Sequence, residues 1–337
     1  MKRVGRMSLW IGVLMMVAMA GAALAQPQRG PVRVISKIRG DLYKFQNDNH
    51  NTWFLVTPEG VIVGDPVNAD AATWLKNEIA QRFKVPVKYV VYSHHHWDHA
   101  RGATVFDDTA ELVGHAAMAG AIKDAMENIQ LGVTRRLDRN NDKKLDKTEV
   151  TGGTADAFDE LDANKDGALS GAEISGDIRL PESTYTDRRT ITLGGKRVEL
   201  IHPGPIHSAD ATIVYFPAER VVFGVDWITL RAPAGNLITA SMPADWIKAL
   251  KLVESLGFDL IAPGHGNIGT RADLVDLRQY FEELVDGVTK GIAAGRTVEQ
   301  IQASNLLERY AWWSGFAQGR NTNIAHVYQQ LKGGGAQ

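Results

Sequence analysis

The run Ser93-His94-His95-His96-Trp97-Asp98-His99 holds the densest set of coordinating side chains in the chain. Its spacing, His-x-His-x-Asp-His, gathers His94, His96, Asp98 and His99 within one short turn, and His207 and His265 add two imidazoles far downstream. Nitrogen and carboxylate oxygen donors at this density suit zinc, and iron or manganese accept the same donors. The chain contains no cysteine, so thiolate ligands are excluded and any ligand is His, Asp or Glu. Among the other histidines, His95 lies between two candidate ligands and is expected to point away from them. His115 and His202 read as framework residues, and His50 and His326 as surface residues.

These side chains must be carried by an alternating pattern of elements. Val32–Ile35, Leu42–Phe45, Trp53–Val56 and Val61–Val63 read as short strands of meander-like hairpins, broken by turn residues such as Pro58-Glu59-Gly60. Ala71, Leu75, Ile79 and Phe83 recur every four residues, which predicts an amphipathic helix over Asn68–Phe83. Val87–Tyr92 is a buried strand that delivers the histidine run, and Ala116–Ile129 is helical. Strands resume at Val198–Ile201, Ala211–Phe216 and Arg220–Val225. A helix over Pro243–Leu256, a strand over Leu260–Ala262 and a helix over Arg271–Ile292 follow. The tail from Thr297 to Leu331 reads as helical, carries Trp312 and Trp313, and shows no chemistry of its own.

Five motifs, in order, resemble the metallo-β-lactamase superfamily. They are Asp65 closing Val61-Ile62-Val63-Gly64-Asp65; the His94-x-His96-x-Asp98-His99 run; His207 in Gly204-Pro205-Ile206-His207-Ser208-Ala209-Asp210; Asp226 in Phe223-Gly224-Val225-Asp226; and His265 in Pro263-Gly264-His265-Gly266. The resemblance covers roughly residues 35 to 270. It implies an α/β fold, a four-layer αββα sandwich of two face-to-face sheets with helices outside. It also implies two zinc ions, one held by His94, His96 and His207, the other by Asp98, His99 and His265, with Asp226 bridging them. Asp65 would stand behind the ligands and orient an imidazole through its second nitrogen. Two ions sharing a water bring its pKa from about 15.7 toward neutrality, giving a bridging hydroxide, with Asp98 and Asp226 as catalytic carboxylates steering its proton. An aspartate at position 226 rather than a cysteine places the chain nearer the glyoxalase II, lactonase and general hydrolase branches.

An acidic stretch interrupts the pattern between the His99 and His207 motifs. Asp138, Asn140, Asp142, Lys144, Asp146 and Glu149 occupy positions 1, 3, 5, 7, 9 and 12 of an EF-hand calcium loop, with Lys143 where glycine is usual. Asp162, Asn164, Asp166, Ala168, Ser170 and Glu173 repeat the pattern with Gly167 in place. Side-chain oxygens, with backbone carbonyls at Lys144 and Ala168, are the hard donors that Ca2+ takes. Leu145, Phe158, Leu161 and Leu169 would give the pair a small apolar contact. A structural clamp beside the cleft fits this better than a sensor.

Lys2, Arg3 and Arg6, the apolar run Leu9–Ala20 and Ala23-Leu24-Ala25 read as a secretory signal over residues 1–25, too short and too rich in Ala and Gly for a retained membrane span. Its removal would take the formal charge from −2 to −5, which gives no support for nucleic-acid binding. The expected organisation is a signal at 1–25, a hydrolase domain at 32–270 with an EF-hand pair at 135–178 inside it, and a helical extension at 271–337. The expected protein is an exported, periplasmic or secreted, dinuclear zinc hydrolase of a small acyl substrate: a lactone, thioester, ester or β-lactam. The alternative is a calcium-dependent binding or scaffold protein on a degenerate hydrolase fold. No protein partner can be inferred.

Overall fold

The structure is a computed structural model describing residues 30–129, 137–233 and 243–333; the expected signal segment lies outside the described residues. Strands β1 (Arg33–Arg39), β2 (Leu42–Asn47), β3 (His50–Thr57), β4 (Gly60–Val63), β5 (Val87–Val91) and β6 (Glu111–His115) come first in the chain. A two-stranded ribbon of β7 (Lys144–Asp146) and β8 (Ala168–Ser170) follows, then β9 (Ser183–Tyr185). Strands β1 to β6 and β9 form a seven-stranded sheet in that order, antiparallel as far as β4 and parallel from β4 to β9. Strands β10 (Arg188–Leu193), β11 (Lys196–Ile201), β12 (Ile213–Phe216), β13 (Val221–Phe223), β14 (Leu260–Ala262) and β15 (Gly269–Thr270) form a six-stranded sheet in which β13 and β14 are parallel.

Three large apolar clusters hold this mixed α/β fold together. One joins both sheets, pairing Leu42, Trp53, Leu55, Ile62 and Val91 of the first with Val198, Leu200, Val214, Phe216 and Phe223 of the second. Another packs Leu75 and Ile79 of the Ala69–Phe83 helix and Met118 and Ile122 of the Met118–Asn128 helix against the first sheet. The third sets helices Pro243–Glu254 and Arg271–Ala293 against Ile213, Val222 and Ile261 of the second sheet. Residues beyond 300 belong to that same cluster: Ile301, Tyr310, Trp313, Phe316, Ile324 and Val327 are all buried in it. The tail is broken into a helix at Val298–Gln302, a 3-10 turn at Glu308–Tyr310 and a helix at Phe316–Gly333.

The parallel strands direct the site. β4 and β5 lead into Asp65 and His94, β13 and β14 lead into Asp226 and His265, and β11, running the same way as β13, ends before His207. All candidate ligands therefore sit beyond the carboxyl ends of strands, on the loops and short helical turns that follow them. β3 runs against β4, so its first residue, His50, comes to the same edge.

Within the acidic stretch, Leu145 faces Leu169 across the ribbon, and both join Ile129, Val150, Phe158, Leu161 and Ile174 in a small cluster of their own. Trp97, from the histidine run, packs against that cluster. The helix Gly171–Ser175 approaches the carbonyls of Ala125 and Met126 so closely that any Cβ at Gly171 would overlap them.

Candidate metal centre

Helix Trp97–Ala100 begins directly after His96, so Asp98 and His99 fall on its first turn while His94 and His96 remain on the extended chain before it. Gly102 ends this segment at φ +85°, and a Cβ there would run into the backbone of Asn68 and Ala69; only glycine lets the ligand turn sit on the start of the Ala69–Phe83 helix. Val67 and Val225 are β-branched residues in the left-handed region, at φ 71° and 47°. Such backbone costs about 1–3 kcal/mol and survives only where the surroundings impose it. Each lies within two residues of a site carboxylate, Asp65 or Asp226.

Two groups of donors converge. His94, His96, His207 and Asp226 offer ligand atoms within 4.8 Å of one another, and so do Asp98, His99, Asp226 and His265. Asp226 is common to both. Its Oδ1 lies 3.0 Å from His99 Nε2 and 3.3 Å from His265 Nε2, while Oδ2 lies 3.8 Å from His94 Nε2 and 3.9 Å from His207 Nε2. The side chains fit metal ions by a test independent of any sequence pattern. His94 Nε2 is buried with no hydrogen-bond partner, a costly state for a polar atom unless a cation satisfies it, and His99 Nε2 and Asp226 Oδ1 are buried facing each other.

Behind the donors stands a hydrogen-bonded frame. The Asp65 carboxylate accepts from Ser93 N at 2.7 Å and from Ser93 Oγ at 2.6 Å, and its Oδ2 lies 3.2 Å from His99 Nδ1. Ser93 Oγ in turn lies 2.9 Å from His94 Nδ1. His265 Nδ1 lies 3.0 Å from the Asn49 carbonyl. In each case the nitrogen facing away from the cluster is engaged, leaving Nε2 turned inward. His95 does point elsewhere: its Nδ1 lies 2.8 Å from Asp210 Oδ1, which ties the His94–His99 run to the loop that carries His207. His115 and His202 stack with ring centroids 4.0 Å apart and reach the Thr186 and Ala211 carbonyls. His326 is half-buried on the Phe316–Gly333 helix.

Charge is distributed unevenly between the groups. Burial, reinforced by neighbouring imidazoles, holds His94 and His96 well below the ordinary histidine range, so both are neutral. Burial opposes charge on His99 too, but the Asp226 and Asp98 carboxylates outweigh it and keep that imidazole well above its ordinary value. Burial would raise Asp226, yet His99 and His265 hold it far below the usual carboxylate range.

His50 is not a surface residue. Its side chain is 17 % exposed, its Nε2 lies 3.4 Å from Asp98 Oδ2, and its ring stands edge-on to His265 with centroids 4.8 Å apart. Hairpin register was the signal for it: a strand antiparallel to the one ending at Asp65 must start at the site edge. The acidic side chains of the two calcium-type loops, by contrast, form no such group of three donors among the described residues. They turn to loop amides instead. Asp138 and Asn140 accept from Asp142 N, Asp162 and Asn164 accept from Asp166 N, and Glu149 and Glu173 each accept from backbone N–H groups early in their own loops.

Residues 46–265 match the family described as the metallo-beta-lactamase superfamily. The chain belongs to this superfamily. Among curated relatives, the superfamily member is 23% identical over 238 residues to the 2,4-dinitroanisole O-demethylase subunit alpha of Nocardioides sp. (strain JS1661), covering 70% of this chain and 58% of that one. It is 21% identical over 268 residues to the linear primary-alkylsulfatase of Pseudomonas sp. (strain ATCC 19151), covering 75% and 50%. Among solved structures, the stereoselective inverting sec-alkylsulfatase from Pseudomonas sp. superposes with a TM-score of 0.62 at 17% identity, covering 89% of this chain and 50% of that one. The metallo-β-lactamase fold chain thus spans between half and three-fifths of the length of these relatives. The structural likeness, at that identity, speaks for the fold alone.

Proposed function

We propose that the protein is an exported, metal-dependent hydrolase with two zinc ions, His94, His96 and His207 holding one, Asp98, His99 and His265 the other, and Asp226 reaching both. The observation that carries this is the pair of donor groups sharing Asp226, with the buried His94 Nε2 left unpartnered among them. Ions in such sites acidify a water toward neutral pKa and polarise the electrophile's oxygen. The chain's own contribution is positional. Asp65 and Ser93 hold His99 and His94 in one orientation, and Asp98 and Asp226, both ionised, are placed to accept the water's proton and pass it to the leaving atom. Three apolar clusters, two outside the sheets and one between them, support reading the fold as a four-layer αββα sandwich.

The substrate class proposed is a small acyl compound, consistent with an all-oxygen and nitrogen donor set and mild net acidity. A second reading, a sulfate ester, is favoured by the likeness to the linear primary-alkylsulfatase, which aligns over 75% of this chain. Elemental analysis with a hydrolysis panel of lactone, thioester, β-lactam, phosphodiester and alkyl sulfate, run with and without chelator, separates the two. Turnover of an acyl member that is lost on chelation and restored by zinc is expected; turnover surviving complete metal removal would overturn the mechanism.

The loops at 138–149 and 162–173 are proposed to bind Ca2+ as an EF-hand pair. Asn141, Lys143, Lys165 and Gly167 take left-handed φ values of 60°, 64°, 58° and 84°, so the tight turn repeats in both loops, and the paired ribbon joins them back to back.

A further inference from the structure

The two donor groups differ in how their outermost ligands are secured. His207 is well buried and lies 3.1 Å from His96 within its own group, whereas the side chain of His265 is 37 % exposed and that of Asp98 22 %. What secures these two is the tip of the β2–β3 hairpin. Asn51 N donates to the Gly264 carbonyl at 2.7 Å, Asn51 Nδ2 donates to the Gly266 carbonyl at 2.8 Å, and His50 pairs with His265 as an isolated backbone bridge. His50 adds a side-chain contact, with Nε2 3.4 Å from Asp98 Oδ2 and its ring against those of His265 and His99.

We propose that His50 is a positioning residue for the second donor group alone: its ring N–H holds one oxygen of Asp98, so that the carboxylate presents its charge beside His99 and His265 instead of swinging out to solvent. This rests on the two-ion reading above. A carboxylate that is part exposed and lies at the start of a four-residue helix has several rotamers open to it, and one directed N–H contact selects among them. No comparable contact joins His50 to His94, His96 or His207, so its influence stops at the second group.

The test is a Co2+ titration of metal-free protein followed by visible absorption, with Zn2+ counted by elemental analysis after dialysis. Wild type is expected to take two ions. His50→Asn, too short to reach Asp98, is expected to bind the first as wild type and the second about 10- to 100-fold more weakly. His50→Gln, whose longer amide can donate, should recover part of that loss. Equal weakening of both ions in His50→Asn, or none, overturns the proposal. Equal behaviour of the Asn and Gln variants overturns it as well. Wild type taking fewer than two ions would sink the two-ion reading and this inference with it, whereas a normal wild type with unselective variants sinks this inference alone.

Discussion

Gly264 shows how little room the site leaves. A Cβ at that position would overlap Asp226 Oδ1 and stand 3.1 Å from His99 Cε1, although the backbone there is open to any residue. Gly264→Ala therefore tests geometry without backbone strain. The carboxylate common to both groups must move, and a displacement of about 1 Å at reacting groups costs on the order of 100-fold in rate. Turnover is expected to fall by that much while circular dichroism stays that of wild type; wild-type turnover would mean that Asp226 is not where the chemistry happens. Asp65 acts differently, since its two oxygens reach both Ser93 and His99 and, through Ser93 Oγ, His94. Asp65→Ala should weaken both ions by about 10- to 100-fold, in contrast to the selective effect expected at His50. Zinc competition against a chromophoric chelator reads both constants, and loss at one site only would refute the shared frame.

At the level of elements, the Arg271–Ala293 helix carries the second sheet's outer layer, and its start is held by one side chain. Asp273 accepts from Thr270 N and Oγ1 at 2.8 and 2.9 Å and from Arg231 Nε at 2.7 Å. Burial would raise its pKa, but Arg231 and the Thr270 bonds prevail and hold it below the ordinary value. A depressed folded-state pKa gives stability that is present above about pH 3.9, where the unfolded carboxyl is already ionised, and lost as pH falls through the folded value. Asp273→Asn is expected to cost about 1 kcal/mol in urea unfolding at neutral pH, with the gap to wild type closing below pH 4. A gap that persists in acid would exclude the carboxylate as its origin. Much at this scale was legible in the sequence, because Leu75 and Ile79 show helical period and Val87–Val91 shows a continuous apolar run. β10 was not, since Arg188, Arg189, Thr190 and Thr192 leave only Ile191 well buried on an edge strand. β15, two residues long, has no period to read. His50 was missed for another reason: its role depends on which strand pairs with which, and residue type alone carries no pairing information.

At the scale of the molecule, the acidic insertion and the metal centre share a side chain. Trp97 sits between the candidate ligands His96 and Asp98 in sequence and packs on the cluster of Leu145, Phe158, Leu161 and Leu169 in space. The C-terminal end of the insertion is fixed as well, by Gly171 against the Met118–Asn128 helix and by Arg101 Nε on Asp177 Oδ1 at 2.5 Å. That coupling was only half visible in the sequence. The loop patterns at 138–149 and 162–173 could be read residue by residue, but their docking onto the histidine run arises from tertiary packing. If Ca2+ orders the loops, its removal loosens the apolar cluster and frees Trp97, and with it the turn that bears Asp98 and His99. A calcium-selective chelator, used with zinc retained and verified by elemental analysis, is expected to open residues 137–178 to protease and to lower turnover. Trp97→Ala should begin at the lower turnover and respond little to the chelator, since the link is already cut, while its insertion still gains protease sensitivity. Should wild-type turnover and protease resistance both withstand calcium removal, the calcium clamp is wrong; should proteolysis rise with turnover unchanged, the loops bind calcium but Trp97 transmits nothing to the site.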